Sequence, residues 1–373
     1  MLHILQEMAS AAAELLADLV AIDSVNPDLV PAAAGEEELS RFVAAWCGRA
    51  GLEVEIEEVA RGRTNVIATA RGTGGGRSLM LNAHMDTVGV EGMEEPFSGR
   101  VADGRLHGRG AYDMKCGLAA IMLATSRAKT AGLAGDVIVT AVCDEEVASI
   151  GTAAIAKTRR ADAAIVAEPT EERVCVAHKG FVAWEIETVG RAAHGSRPDL
   201  GVDAIALMGG VLVGLEKLDR HLRAGPAHPL LGTGSVHASL IEGGQEYSSY
   251  PARCLLVGER RTVPGESDEM VEREVRELLG DLEGSSRIKL SRAPFETRSD
   301  EPIVQLVGRL AGTAHVAGVG FWADSALLAA AGIPTVLFGP RGEGAHAVVE
   351  WVDLASVERC ADLYLAVAKS FCA

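Results

Sequence analysis

The 373-residue chain has no basic surplus: 35 Lys and Arg stand against 52 Asp and Glu, a formal net charge of −17. A field of that sign repels phosphate backbones and anionic lipid, so nucleic-acid binding would need a local basic patch. Only the isolated pairs Arg159-Arg160 and Arg260-Arg261 come near one, which speaks against a nucleic-acid or membrane-surface partner. Long apolar runs are lacking as well; none reaches the ~18 residues of a membrane span. Met1–Val20 has neither the basic start nor the small-residue cleavage site of a secretory signal. Its Leu2, Leu5, Met8, Ala12, Leu15, Leu16 and Leu19 recur instead at helical spacing. The seven cysteines include no C-x-x-C pair and fall mostly in apolar stretches. They read as small core residues of a reduced compartment, and the expected location is cytoplasmic. Internal repeats and low-complexity linkers are absent too.

What is present is ordinary globular composition, 48% hydrophobic and 23% charged, ample for a large core. At about 150 residues per domain the length predicts two domains. The first part alternates strands with helical patterns, as an α/β sheet protein does. Short apolar strands read at Ser78–Ala83, Asp136–Cys143 and Ala163–Ala167, suited to the centre of a sheet covered on both faces. Near Lys179 the character changes. Phe181–Val189 alternates like a half-exposed strand and opens a β-α-β-β-α-β order, which predicts a small antiparallel sheet with two helices on one face. From Pro302 the buried-strand style returns. The expectation is one α/β domain interrupted by an inserted α+β domain of about 110 residues.

The acids and histidines fall at the carboxyl ends of the buried strands, where open α/β sheets bind ligands. His84 and Asp86 follow one strand; Asp144, Glu145 and Glu146 follow a second; Glu168 follows a third. His346 lies beyond Ile333–Phe338, and Asp113 sits in the loop that opens the next helix. Singly each has a plain reading, as a core histidine, a helix N-cap or a solvated acidic turn. Jointly they do not: carboxylates converging on one edge repel and take up protons unless a cation neutralises them. Carboxylate with imidazole is the donor set of zinc, cobalt or manganese sites.

His84-Met85-Asp86, Gly110 to Lys115, Asp144-Glu145-Glu146, Glu168-Pro169-Thr170 and Gly344-Ala345-His346, in this order, resemble the motifs of the M20 family of dinuclear metallohydrolases, which includes acetylornithine deacetylases. The resemblance implies a mixed sheet sandwiched by helices, of zinc-exopeptidase type, over residues 1–178 and 293–373. Residues 179–292 would form an inserted ferredoxin-like lid that also dimerises the protein. Two divalent ions, zinc first and cobalt or manganese next, would be held by His84 and Glu168 on one side and Glu146 and His346 on the other. Asp113 would bridge them. Asp86 would accept the far N–H of His84 and fix its tautomer. Glu145 would be general base and acid for a hydroxide between ions ~3.5–4 Å apart. His194, in the lid segment Gly190 to Gly195, would stabilise the oxyanion in the neighbouring subunit's site.

For substrate the resemblance implies an N-acyl amino acid, in the manner of acetylornithine deacetylase. A dipeptidase or carboxypeptidase, an N-carbamoyl amino acid hydrolase and a metal-binding protein without catalysis are the alternatives. Glu259 to Glu266 looks like the family segment whose arginine holds a substrate carboxylate. Strand alternation lets only one of Arg260 and Arg261 face the site, and position favours Arg261. Ser248 stands where many members carry an asparagine that reads the substrate. Glu350, four residues past His346, matches an acidic position that would orient His346 or meet the substrate amine. Asp324 reads as a helix N-cap.

Overall fold

A computed structural model describes residues 10–373; the helical spacing at Leu2, Leu5 and Met8 lies outside the described residues. The chain divides into two units, the larger comprising the described residues up to Val176 with Thr297–Ala317 and Ala323–Ala373. Its mixed sheet runs in the order Glu53–Ala60, Arg63–Ala70, Val137–Val142, Leu79–His84, Ala163–Val166 and Thr335–Leu337. The last four are parallel to their neighbours in that set, whereas Arg63–Ala70 is antiparallel to both of its own. Leu79–His84 is buried at every position, as a strand covered on both faces must be. The next strand to join it lies on one side and the following one on the other, so the strand order reverses at His84. That reversal opens the crevice where such sheets take their ligands.

Helices cover the sheet because their apolar faces need it. Lys115–Ala128 is buried almost throughout, and a helix apolar on all sides belongs inside; it packs against Ala11–Ala21 and Leu354–Phe371. Its start is pressed against the strand that precedes Glu168: a Cβ on Gly117 would lie 2.2 Å from the Ala167 carbonyl oxygen. Only glycine lets the two come so close. A small sheet of two- and three-residue strands, Gly342–Glu343, Trp351–Asp353, Arg105–His107 and Arg100–Ala102, joins the loops that carry Asp113 and His346. Strands that short show no periodicity, and the sequence reading had none there.

The smaller unit comprises Ala177–Glu296 and Gly318–Trp322. It therefore reaches a few residues beyond the expected 179–292 and gains a distant pentapeptide. The physical reason is Trp322, which stands edge-on to His178 and Phe181 and donates its indole N–H to the Ala293 carbonyl. The antiparallel sheet order is Ser235–Gly243, Arg253–Thr262, Gly180–Val189, Gly284–Arg292. Helices Ala204–Ala224 and Asp268–Leu279 bury Val182, Trp184, Ile186, Leu256, Met208 and Val275 against one face. Trp184 lies across Gly258, where a Cβ would sit 2.1 Å from the ring.

All seven cysteines are free and buried, and burial pushes the Cys47 thiol up to about 12. Among the described residues no helix is long and apolar enough to cross a membrane.

Candidate metal centre

The strand ends bring the expected ligands together. His84 closes its strand with Nδ1 2.9 Å from the Asp86 carbonyl oxygen; its Nε2 faces Asp113 Oδ1 at 3.3 Å and Glu168 Oε1 at 3.9 Å. Asp113's other oxygen, Oδ2, faces His346 Nε2 at 3.5 Å, and Glu146 Oε2 lies 3.0 Å from the same nitrogen. One carboxylate thus addresses both imidazoles with separate oxygens. Donor atoms around one ion at ~2.0–2.2 Å stand roughly 3–4 Å from each other, the spacing seen here. Glu145 lies 4.0 Å from His84 Nε2, and His84, Glu145 and Glu168 form one group able to hold a cation, with His84, Asp113 and Glu146 a second.

The electrostatics ask for cations. Burial opposes a proton on His84, but Asp113, Glu168, Glu145 and Asp86 outweigh it and hold the imidazole well above its usual value. Asp113 and Glu146 push His346 up to about 10. Burial raises the carboxyls of Glu145, Glu146 and Glu168. Asp113 goes the other way, since His346 and His84 overcome its burial. Glu146 Oε1 is buried with no hydrogen-bond partner, a cost that a bound ion removes. Imidazoles and carboxylates that keep protons only for want of counter-charge exchange them for divalent metal. The donor set fits two such ions.

Asp86, Glu350 and Asp324 depart from their expected places, and of the two candidate arginines Arg260 is closed off. The Asp86 carboxylate is 3.6 Å from His84 Nδ1, and the nearer acceptor is that residue's own backbone carbonyl. The carboxylate instead accepts the backbone N–H groups of Glu145 at 3.0 Å and Glu146 at 3.1 Å. Glu350 meets neither His346 nor open space. Buried, it accepts from Arg109 Nη1 and from the backbone N–H groups of Gly110, Tyr112 and Asp113. Arg260 is 1% exposed and spends its guanidinium on Glu266 and Glu274, so it is structural. Arg261 points to the other face of the sheet, paired with Glu259 at 2.6 Å and 5.3 Å from the Phe181 ring centre. Asp324 heads its helix but caps nothing with its side chain; it accepts from Thr152 Oγ1 at 2.6 Å, and burial pushes its carboxyl up to about 6.

His194 is exposed with Nδ1 2.8 Å from Ser196 Oγ. Its loop is zipped to that of Ser248, whose carbonyl accepts the Gly195 N–H at 2.6 Å. Sequence reasoning missed Asn26, Glu36 and Arg63, which are buried under the Asp144–Glu146 turn; the one available signal was the Asn26-Pro27 turn.

Paired carboxylates and imidazoles at the switch point of a mixed sheet, with a spare half-buried glutamate beside them, define a metal-dependent hydrolase. The model of peptidase family M20/M25/M40 matches residues 80–370, and the chain belongs to that family. It is 29% identical to the acetylornithine deacetylase of Proteus mirabilis, with 96% of each chain covered. It is 30% identical to an N-formyl-4-amino-5-aminomethyl-2-methylpyrimidine deformylase of Halalkalibacterium halodurans, covering 92% of this chain and 91% of that protein. In fold it matches a tripeptidase of Staphylococcus aureus with a TM-score of 0.79 at 21% identity, over 98% and 99% of the two chains. The chain is accordingly an amidohydrolase or peptidase of that family, whose members depend on a pair of metal ions, and it carries residues able to hold them.

Proposed function

We propose that the protein hydrolyses the amide bond of an N-acyl amino acid, releasing the free amine and a carboxylate. The observation that carries this reading is the Asp113 carboxylate divided between His84 and His346, with Glu145 beside it. His84 and Glu168 would hold one ion and Glu146 and His346 the other, with Asp113 shared. Such a pair polarises a carbonyl and lowers the pKa of water. Glu145 takes the proton of the attacking water as its oxygen adds to the amide carbon. It then hands that proton to the leaving nitrogen as the C–N bond breaks. Asp86 keeps Glu145 in place through the backbone N–H it accepts. Arg261 is the group we assign to the substrate carboxylate, because Arg260 is committed elsewhere. His194 is assigned to the developing oxyanion in a neighbouring subunit. Zinc heads the list of ions, with cobalt or manganese behind it.

The acyl amino acid reading draws support from the deacetylase relatives and from the half-exposed guanidinium of Arg261, held by Glu259 on the sheet face opposite Arg260. A hydrolysis screen on metal-loaded protein tests it, with N-acetyl, N-formyl, N-succinyl and N-carbamoyl amino acids beside dipeptides. Amino acid release from an acyl class, with the Michaelis constant raised in Arg261→Met, is expected. Cleavage of dipeptides alone would move the protein to the peptidases of its family.

A dimer through the smaller unit is the second part of the proposal. Strand Ser235–Gly243 is a sheet edge with Leu240 and Ile241 68% and 55% exposed. Ile205 of the adjoining helix sits against Gly243, and Leu212 and Val213 continue the exposed apolar stripe. An edge of that kind invites another strand, and a second copy supplies one of matching chemistry. Light scattering should give twice the chain mass for the native protein and a monomer for Leu240→Lys with Ile205→Glu. A monomeric native protein would rule out both the dimer and the role given to His194.

A further inference from the structure

We propose that Asn26 is a positioning residue for the general base, acting through Asp86 and Asp144 on the turn that carries Glu145. The inference rests on the reading of Glu145 above but is tested apart from it. Asn26 is fully buried. Its amide nitrogen Nδ2 donates to Asp86 Oδ2 at 2.8 Å and to Asp144 Oδ1 at 3.1 Å. Its own backbone is tied to the loop after His84, with Asn26 N–H on the Thr87 carbonyl at 2.9 Å and Thr87 N–H on the Ser24 carbonyl at 3.0 Å. Its Oδ1 accepts from the Asp28 N–H at 3.0 Å, which leaves the amide one orientation that satisfies both ends.

The three backbone N–H groups of the turn it serves all go to carboxylates. Asp144 N–H goes to Glu36 Oε1, Glu145 N–H to Asp86 Oδ1 and Glu146 N–H to Asp86 Oδ2, all within 3.1 Å. Asp144 itself stands at φ +68°, a left-handed conformation that an aspartate keeps only where its surroundings impose it. Those surroundings are Asn26 and Arg63, whose guanidinium binds Asp144 at 2.8 Å and Glu36 at 2.7 Å. Arg63 supplies charge, which attracts from any direction. Asn26 is neutral and has two N–H bonds at a fixed angle, so it sets how the Asp86 and Asp144 carboxylates stand to one another. Without it these buried carboxylates repel, and the Asp86 oxygens that hold Glu145 and Glu146 are free to turn.

Displacement of a catalytic group by ~1 Å costs about 10²-fold in rate. Asn26→Leu should therefore lower kcat by about 10²-fold with the Michaelis constant little changed and two ions still bound. The deciding measurement is a cycle with Glu145→Gln. If Asn26 works through Glu145, Asn26→Leu costs nothing further once Glu145 is gone, because effects within one unit do not add. An equal loss in both backgrounds, a raised Michaelis constant at unchanged kcat, or loss of an ion would overturn the proposal. Should Asn26→Leu fail to fold, Asn26→Ser, which keeps a donor of shorter reach, runs the same cycle. Full turnover by Glu145→Gln alone would instead condemn the general-base reading, a result visible before Asn26 is touched.

Discussion

Glu145→Gln should lose about 10³-fold in kcat and keep both metal ions, within the 10²–10⁴-fold range of general-base catalysis. Glutamine preserves the shape of the side chain and the backbone N–H that Asp86 accepts, so the turn has no reason to move. What disappears is the proton acceptor. Burial raises the Glu145 carboxyl well above the usual range; His84 opposes this, while Glu168, Asp324 and Glu146 add to it. A base so raised is charged above its pKa and idle below it, so kcat/KM falls as pH drops through that value. The residual activity of the variant should lack this acid limb. Metal content, read by elemental analysis, separates the alternatives. Glu145 lies close enough to His84 and Glu168 to be a ligand itself. An ion lost with the substitution would make it one and leave the reaction without the base assigned here.

The centre was readable in the sequence because its acids and histidines follow apolar runs, and a strand that ends at the sheet's edge delivers them there. Position alone brings His84, Glu145, Glu146 and Glu168 to that edge; which of them would hold an ion is what the family resemblance implies. The bonding of the surrounding residues was not readable, for reasons that differ. For Asp86 the question lay between two oxygens of one residue, and spacing cannot separate a carbonyl at 2.9 Å from a carboxylate at 3.6 Å. For Arg260 and Arg261, alternation correctly put them on opposite faces. Which face is closed depends on where Asp268–Leu279 lays Glu274. Arg63 and Glu36 sit on separate elements and gain meaning only when Asp144 arrives between them. Resemblance to a family can name the ligands; it does not say which backbone N–H each carboxylate answers.

Glu350→Ala should cost about 3–5 kcal/mol of stability, the scale of a buried ion pair broken from one side. Among the described residues its carboxylate is the one that pairs with Arg109, whose side chain is 3% exposed. It also closes three backbone N–H groups, those of Gly110, Tyr112 and Asp113, at 2.8–3.1 Å. Removal leaves Arg109 only the carbonyls of Gly89 and Ala347 and strands donors that cost roughly 1–3 kcal/mol each where water cannot reach them. At ~2–4 °C per kcal/mol the melting temperature should fall by about 10 °C. Metal affinity should fall with it, because the loop set free is the one that aims both oxygens of Asp113. Charge and backbone can be told apart with Arg109→Met placed beside Glu350→Leu. If the lone guanidinium were the whole cost, the apolar pair would recover native stability, as buried ion pairs often do when both partners go. We expect it to recover only part, since the three N–H groups still lack an acceptor. Calorimetry of the three proteins decides this. A Glu350→Ala melting temperature equal to the native one would mean that the Asp113 loop stands without its clamp.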